Sequence, residues 1–411
     1  MGETLARKSR IGIWSWWGIV IGYACASSAL GLWLAARDIA VVDTVDKYLG
    51  DFRTALFSPR AAAQRADIAV VLIGETTLLD YDVRSPISGR LLGKVIEGID
   101  RAGPKAIGLD FIFDRRTPYS AEFLAATKRV KSPLVLGAVD DRISGLPKES
   151  LETQAEILAA IGRPVGHLLL EHKAGLLATG NDTIRYVAGP YRGLLRRDSL
   201  ASMLARAAKY NHEPANRLIA WQLEPTDTSQ PLFLTLTVPR HPQDGVGGDT
   251  GTVVPDSWAE LLHDRVVLVG ANMVDRDQHT TPLSVIDGRR VPGVMIHAQA
   301  LAQRLDGSTG HSRDIRALPI WSTFLFVTLV ALVCFAAGRR YRSGTHKKVL
   351  GALGLCLIGV VSVLAFWLWQ VDLPSGALAL AWVAGTVGGN YGDWVLSWLG
   401  SRLAGDVSAG I

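Results

Sequence analysis

The chain has 411 residues, 48% of them hydrophobic, and its 43 Lys and Arg exceed its 38 Asp and Glu by five. Such a balance would suit nucleic acid if the excess covered a folded surface, but the basic excess gathers in two short segments, Arg7, Lys8 and Arg10 in one and Arg339, Arg340, Arg342, Lys347 and Lys348 in the other. The stretch between them is close to neutral, so no nucleic-acid partner is expected; Cys25, Cys334 and Cys356 all fall in apolar runs, which argues against a disulfide scaffold.

Residues 1–10 read as a cytoplasmic N-terminus and residues 11–36 as a first transmembrane helix. Ile11 to Ala36 contains no Asp, Glu, Lys or Arg and exceeds the roughly 20 apolar residues that span hydrocarbon. Ala24-Cys25-Ala26 is similar to a small-residue processing site. The apolar run continues past it, however, and Gly22 stands where a lipobox wants an aliphatic residue, so an uncleaved signal anchor is expected. From Arg37 to Phe57 a helix is expected to continue out of the membrane, either as a stalk that couples domain to span or as a plain spacer.

Residues 37–317 are the predicted extracytoplasmic domain. Asp67 to Gly74 reads as a buried strand, and Ser88 to Ala102 as a helix opened by a Ser cap and closed by Gly103-Pro104. Lys105 to Phe113 is the next strand, Ala121 to Val130 a helix and Leu134 to Val139 a third strand. This alternation predicts βαβ units, hence an α/β domain with a mostly parallel, helix-covered sheet. Between Asp140 and Asp256 the pattern loosens: Val165–Glu171, Thr183–Val187 and Leu232–Val238 read as strands, Ser199–Tyr210 as a helix, and Glu224–Pro231 and Arg240–Gly251 as Pro-, Gly- and Asp-rich loops, excursions at the rim of the sheet. Gly245 to Gly251 leads into Thr252-Val-Val-Pro255 and not into a helix, so it reads as a loop and not a phosphate cradle. Asp264 to Gly270 is a strand and Pro292 to Leu305 a helix, with Pro at its first turn and Gly307 beyond its end.

Three further spans are expected at 318–338, 349–371 and 373–398, with a basic loop at 339–348 and a tail at 399–411. The positive-inside rule puts the N-terminus and that loop in the cytoplasm and the 37–317 block outside. The expected location is therefore a bacterial inner membrane, multi-pass, with both termini cytoplasmic and the lipid bilayer as a partner. Eight Trp residues, among them Trp321, Trp367 and Trp369, stand near span ends as interfacial belts do. Gly385, Gly388, Gly389 and Gly392 suit close helix packing, within one chain or across a homodimer. Asn390 and Asp393 share a face of the last span, Asp393 near its cytoplasmic end.

Several segments together resemble the type-two CHASE domain, the extracellular sensory module associated with bacterial adenylate cyclases, histidine kinases and Ser/Thr kinases. They are Asp51-Phe-Arg53; the strand Ile68 to Gly74; Pro86 and Arg90 ahead of a helix; Gly103-Pro-Lys-Ala-Ile-Gly-Leu-Asp-Phe-Ile-Phe113; Val266-Val-Leu-Val-Gly-Ala271 with Asp277 and Thr281-Pro282; and Pro292-Gly-Val-Met-Ile-His-Ala-Gln-Ala300. One span before the domain, three after it and the link Val371-Asp-Leu-Pro374 match as well, so the resemblance runs from about Asp43 to Leu399. It implies a sensory role and dimerisation. The family typically carries a catalytic domain after its last span, whereas Gly400 to Ile411 is too short for any fold, so output is expected through a cytoplasmic partner in trans unless the native chain continues. The family also often shows paired acidic residues after its first strand, where this chain has Glu75 alone.

In an open α/β sheet, ligands bind outside the carboxyl ends of the strands. Glu75 follows the first strand, Asp110 and Asp114 the second, and Asp275, Asp277 and His279 the late strand. If those strands are neighbours, the carboxylates crowd one rim with Arg90 and Arg115 as counter-charges, able to hold a cation or a cationic solute. The candidate ligand-binding residues are accordingly Glu75, Arg90, Asp110, Asp114, Asp277 and His279, with Arg90 as the expected partner of a buried Asp110. Asp after a strand also caps turns and helices, and His297 reads as a hydrogen-bonded core histidine. No metal set, cofactor cradle or catalytic motif is found, so an enzyme is not expected. The expected function is a membrane-anchored sensor, with a scaffold subunit of an envelope complex as the alternative.

Overall fold

The computed structural model describes residues 18, 20–34, 40–81, 84–115, 121–142, 146–171, 183–189, 197–214, 216–227, 229–240, 253–274, 277–340 and 344–408. The chain divides into two compact units, one of residues 1–53, 174–180 and 316–411, the other of residues 54–173 and 181–315. Helices α1 (Val20–Leu34) and α2 (Ala40–Phe57) come first. The boundary between the units falls within α2, and residues 35–39, where a continuous helix was expected, lie outside the described residues.

The second unit is the α/β domain. Its strands β1 (Arg65–Gly74), β2 (Ala106–Asp110), β3 (Leu134–Ala138) and β4 (Val165–His167) alternate with helices α3 (Gly89–Arg101), α4 (Ala121–Arg129) and α5 (Lys148–Ile161). After two short strands, β5 (Leu170–Glu171) and β6 (Tyr186–Val187), come α6 (Leu200–Ala207), β7 (Phe233–Thr237), α7 (Trp258–Leu262) and β8 (Val266–Asn272). A hairpin of β9 (Gln278–His279) and β10 (Val291–Pro292), holding α8 (Ser284–Asp287), leads into α9 (Gly293–Ser308). The main sheet has six strands in the order β4-β3-β2-β8-β1-β7, and every pairing is parallel.

The last seven residues of β1 are all buried, as a strand covered on both faces requires. Successive side chains alternate: Ala69, Val71 and Ile73 face the core built with α3, α4, α5 and α7, while Ile68, Val70 and Leu72 face the core built with α6 and α9. On α3, Leu91, Leu92, Val95, Ile96 and Ile99 are at most 1% exposed, each contributing roughly 1.5–3 kcal/mol by burial. Two glycines set how closely helices lie on the second face. A Cβ on Gly270 of β8 would stand 2.5 Å from Val294 Cβ on α9, and one on Gly166 of β4 would stand 2.5 Å from Leu200 Cα on α6.

The expected parallel sheet is present, with differences of detail. β2 stops at Asp110, so Phe111 to Phe113 leave the ladder. The segment from Val165 to Glu171 divides between two sheets, and the strand expected at Leu232–Val238 is β7, an edge strand beside β1. Helix α5 carries its buried apolar residues, Ile157, Leu158 and Ile161, only in its second half, too short a stripe to stand out as a helical period. Helix α9 runs through Gly307 to Ser308, and the loop from Gly245 to Gly251 lies outside the described residues.

The first unit is helical, with α10 (Ile320–Arg340), α11 (Gly344–Trp369) and α12 (Ser375–Ser408). Strand β11 (Arg316–Ala317) pairs in parallel with β12 (Val371–Asp372). Gly385 and Gly389 of α12 lie against the α10 backbone at Ala331 O and Phe335 O, and Gly388 lies against the Tyr23 ring, whose hydroxyl donates to Ala384 O at 2.9 Å. Small residues thus permit the close helix approach their pattern suggested. Arg53, 6% exposed, donates to Asp372 Oδ1 and, at 3.1 Å, to Ser362 Oγ, with its guanidinium 5.1 Å from the Phe366 ring centroid. Asp51-Phe-Arg53 and the Val371-to-Pro374 link are therefore tied by an ion pair.

Four spans were expected; among the described residues two helices, Ile320–Arg340 and Gly351–Trp369, are long and apolar enough to cross a membrane. The first expected span is described as an apolar helix only from Val20 to Leu34. In α12 the run Gly385-Thr-Val-Gly-Gly-Asn390 dilutes the hydropathy that the neighbouring helices sustain.

Candidate functional site

All six strands being parallel, their carboxyl ends share one edge. The central neighbours β1, β8 and β2 end at Gly74, Asn272 and Asp110, so the three strands expected to converge do so. Glu75 Oε1 accepts from Val274 N at 3.2 Å and so ties the loop after β1 to the loop after β8. Asp277 adopts a left-handed conformation at φ 58° and starts α9, its Oδ2 accepting from Gly293 N at 3.3 Å. A Cβ at position 293 would lie 2.8 Å from Asp277 Oδ1, so a larger residue there would displace that carboxylate. That oxygen also meets His279 Nε2 at 2.9 Å.

Asp110 is the centre of this edge. Its side chain is 9% exposed; Oδ1 lies 3.8 Å from His297 Nε2, beyond hydrogen-bonding distance, and Oδ2 makes no hydrogen bond. Burial, reinforced by the charge of Asp277, pushes its carboxyl well above the usual carboxylate range. Arg90, the expected partner, makes no ion pair with it: Arg90 is exposed on the first turn of α3, and among the described residues the basic side chain beside Asp110 is His297. Asp114 stays in the loop after β2 with Arg115 at 4.0 Å, and Asp275 lies outside the described residues.

His297 is 1% exposed, as a core histidine should be. It is not hydrogen-bonded as expected, since Nδ1 lacks a well-formed partner and only the Leu168 backbone offers compensation. Burial, with the charges of His167 and His279 adding to it, lowers its imidazole to about 3. His167, the last residue of β4, is also 1% exposed and has no hydrogen-bond partner at either ring nitrogen. Burial and then Arg142 lower it to about 4, against a weaker opposing pull from Asp140. Sequence reasoning passed over His167, whose only signal was a polar residue inside an apolar strand.

Burial favours the uncharged forms of this carboxyl and of the two imidazoles, and their unfilled hydrogen-bonding capacity stands at the carboxyl end of the sheet. Among the described residues no three His, Cys, Asp or Glu side chains are arranged to hold a metal ion.

These features define a doubly wound parallel α/β domain with a polar carboxyl edge, joined in one chain to helices of membrane-spanning length. The chain belongs to the CHASE2 domain family, whose model matches residues 20–337, and this family is one of extracellular sensory domains. Neither the curated proteins nor the solved structures contain a significant match to it.

Proposed function

We propose that the chain is a membrane-anchored extracytoplasmic sensor. It binds a small polar signal at the carboxyl edge of its sheet, around Asp110 with Glu75, Arg90, Asp114, Asp277 and His279 about it. Four spans carry the response to a separate cytoplasmic partner, and the protein works as a homodimer in the bacterial inner membrane. The observation that carries the reading is Asp110 Oδ2, buried without a hydrogen bond at the end of a central strand. Buried polar atoms are normally paired, and perturbed carboxyl groups in ligand-binding positions mark functional sites. Membership in a family of extracellular sensory domains supports the location, as do two apolar helices after the domain and the basic loop between them. A signal must bind two arrangements of the domain unequally. Helix α9 suits the response, because it carries His297 to Asp110 and leads along the chain to α10.

A thermal-shift screen of the full chain in detergent against metabolites and cations, with Asp110→Asn alongside, tests the binding. Concentration-dependent stabilisation lost in the variant is expected; equal stabilisation of both proteins would move binding away from this edge. No stabilisation by any compound would favour the scaffold subunit instead. Orientation is tested in a chain whose three cysteines are replaced by Ser: Ser229→Cys is expected to react with an impermeant maleimide on intact spheroplasts, and Thr345→Cys only after permeabilisation. Equal or reversed labelling would overturn the topology.

A further inference from the structure

A cavity of about 440 Å³ lies in the α/β domain on the face covered by α6 and α9, within the size range of small-molecule sites. Asp198, Ser202, Arg206, Glu213, Arg217 and Arg304 are among its lining residues. Arg304 is only 7% exposed. Its Nε donates to Ser202 Oγ at 2.9 Å and its Nη1 to Ala300 O at 2.8 Å, while Nη2 makes no hydrogen bond among the described residues. One carboxylate approaches it, Glu213 Oε2 at 3.6 Å from Nε, on a side chain 53% exposed. The other two lining arginines are already paired, Arg206 with Asp198 and Arg217 with Glu171 at 3.1 Å. A buried guanidinium normally takes a close, two-pronged carboxylate, as Arg65 does in this same domain. Arg304 has no such grip, and its unbonded Nη2 edge belongs to a residue that lines the cavity.

We infer that this cavity binds a small carboxylate, whose carboxyl group takes the place at Arg304 that Glu213 only half fills. Ser202 Oγ, which now donates to Glu213 Oε2 at 3.1 Å, would turn to the ligand as a further donor. Glu213 is thus a built-in competitor, half exposed and held on its other side by Arg206 at 3.6 Å, a contact it keeps when its Oε2 yields Arg304 to the ligand. Arg304 and His297 are seven residues apart on α9, two turns along one face, so occupancy of this cavity acts on the helix that meets Asp110. The inference goes beyond the proposed edge site and does not depend on it.

The test is calorimetric titration of the full chain in detergent with acetate, succinate and glutamate, and with inorganic phosphate for contrast. Saturable binding of at least one carboxylate is expected. Arg304→Lys, which keeps the charge and loses the fork, should weaken it about tenfold or more. Glu213→Gln, which removes the competitor from a half-exposed position, should tighten it about threefold or more. Asp110→Asn should leave it unchanged, which separates this site from the edge. No saturable binding by any of the three carboxylates would overturn the inference, as would tighter binding of phosphate or an unchanged affinity in Glu213→Gln; the last decides alone if Arg304→Lys does not fold.

Discussion

The two ends of the six-stranded sheet treat buried charge in opposite ways. At the amino end, Arg65 opens β1 and is gripped twice: Asp67 accepts at 3.0 and 2.6 Å, Asp306 at 3.0 and 2.8 Å. Arg313 adds a bond to Asp306 at 2.6 Å, and only its Nη2 is left without a partner. Burial alone would lower the Arg65 guanidinium, but the bonds from Asp67 and Asp306 outweigh it and raise it. At the carboxyl end, Asp110, His167 and His297 are as deeply buried, yet a carboxylate oxygen and three ring nitrogens there lack well-formed hydrogen bonds. The first arrangement fastens β1 to α9. The second leaves capacity open where open α/β sheets take their ligands, and the domain tolerates its cost because the other end is secured.

Breaking the fastened end should have the largest effect. Arg65→Ala leaves Asp67 without its counter-charge and Asp306 with Arg313 alone, and should cost about 3–5 kcal/mol, seen as a lower thermal midpoint of the domain. The open end should show itself through pH. Imidazoles depressed to about 4 and 3 are neutral in the folded chain, whereas the unfolded chain takes up their protons below about pH 6.5. Their stability contribution is therefore full above pH 6.5 and lost as pH falls toward 4. The raised carboxyl of Asp110 works in the opposite sense, costing stability as pH rises through its folded pKa, but it is one group against two. His167→Gln should shrink the fall in unfolding free energy between pH 6.5 and pH 4 by about 3 kcal/mol, measured by denaturant titration at both pH values.

The next effect is steric. Gly270 is the register partner of Asp110, and Val294 packs over it. Gly270→Ala should push α9 away from the sheet and cost about 2 kcal/mol, read as a drop in denaturation midpoint; an unchanged midpoint would mean α9 is not closely seated there. The smallest change is expected from Asp110→Asn. Removing a desolvated carboxylate should stabilise the folded chain by about 1 kcal/mol at pH 8 and by less at pH 5, since the native carboxyl is then more fully protonated. A loss of stability at pH 8 would show that Asp110 is paired after all.

Much of this architecture was legible in the chain. Strands β1, β2, β3 and β8 and helices α3, α4, α6 and α9 follow from apolar runs and periods bounded by Ser, Gly and Pro, because those patterns act within one element. Helix α5 was not legible, since its apolar residues are confined to two turns, and the irregular middle concealed that β7 belongs to the main sheet. Of the candidate site, the convergence of Glu75, Asp110 and Asp277 was legible as a consequence of strand order. The neighbour of Asp110 was not: Arg90 is nearer in sequence and carries a full charge, but the basic side chain 3.8 Å away is His297, on a helix nearly two hundred residues later.

By itself the sequence determined the class of fold, the length and charge asymmetry of its apolar segments, and the carboxylates at the strand ends, all properties of local period and composition. Tertiary structure alone decided that β8 inserts between β1 and β2, that Gly270 lets α9 close on the sheet, and that Asp110, His167 and His297 share one interior while Arg65 is gripped by two carboxylates and Arg304 meets one at 3.6 Å. Such placements depend on contacts between residues far apart in the chain, and neither propensity nor spacing records which buried charge will find a partner.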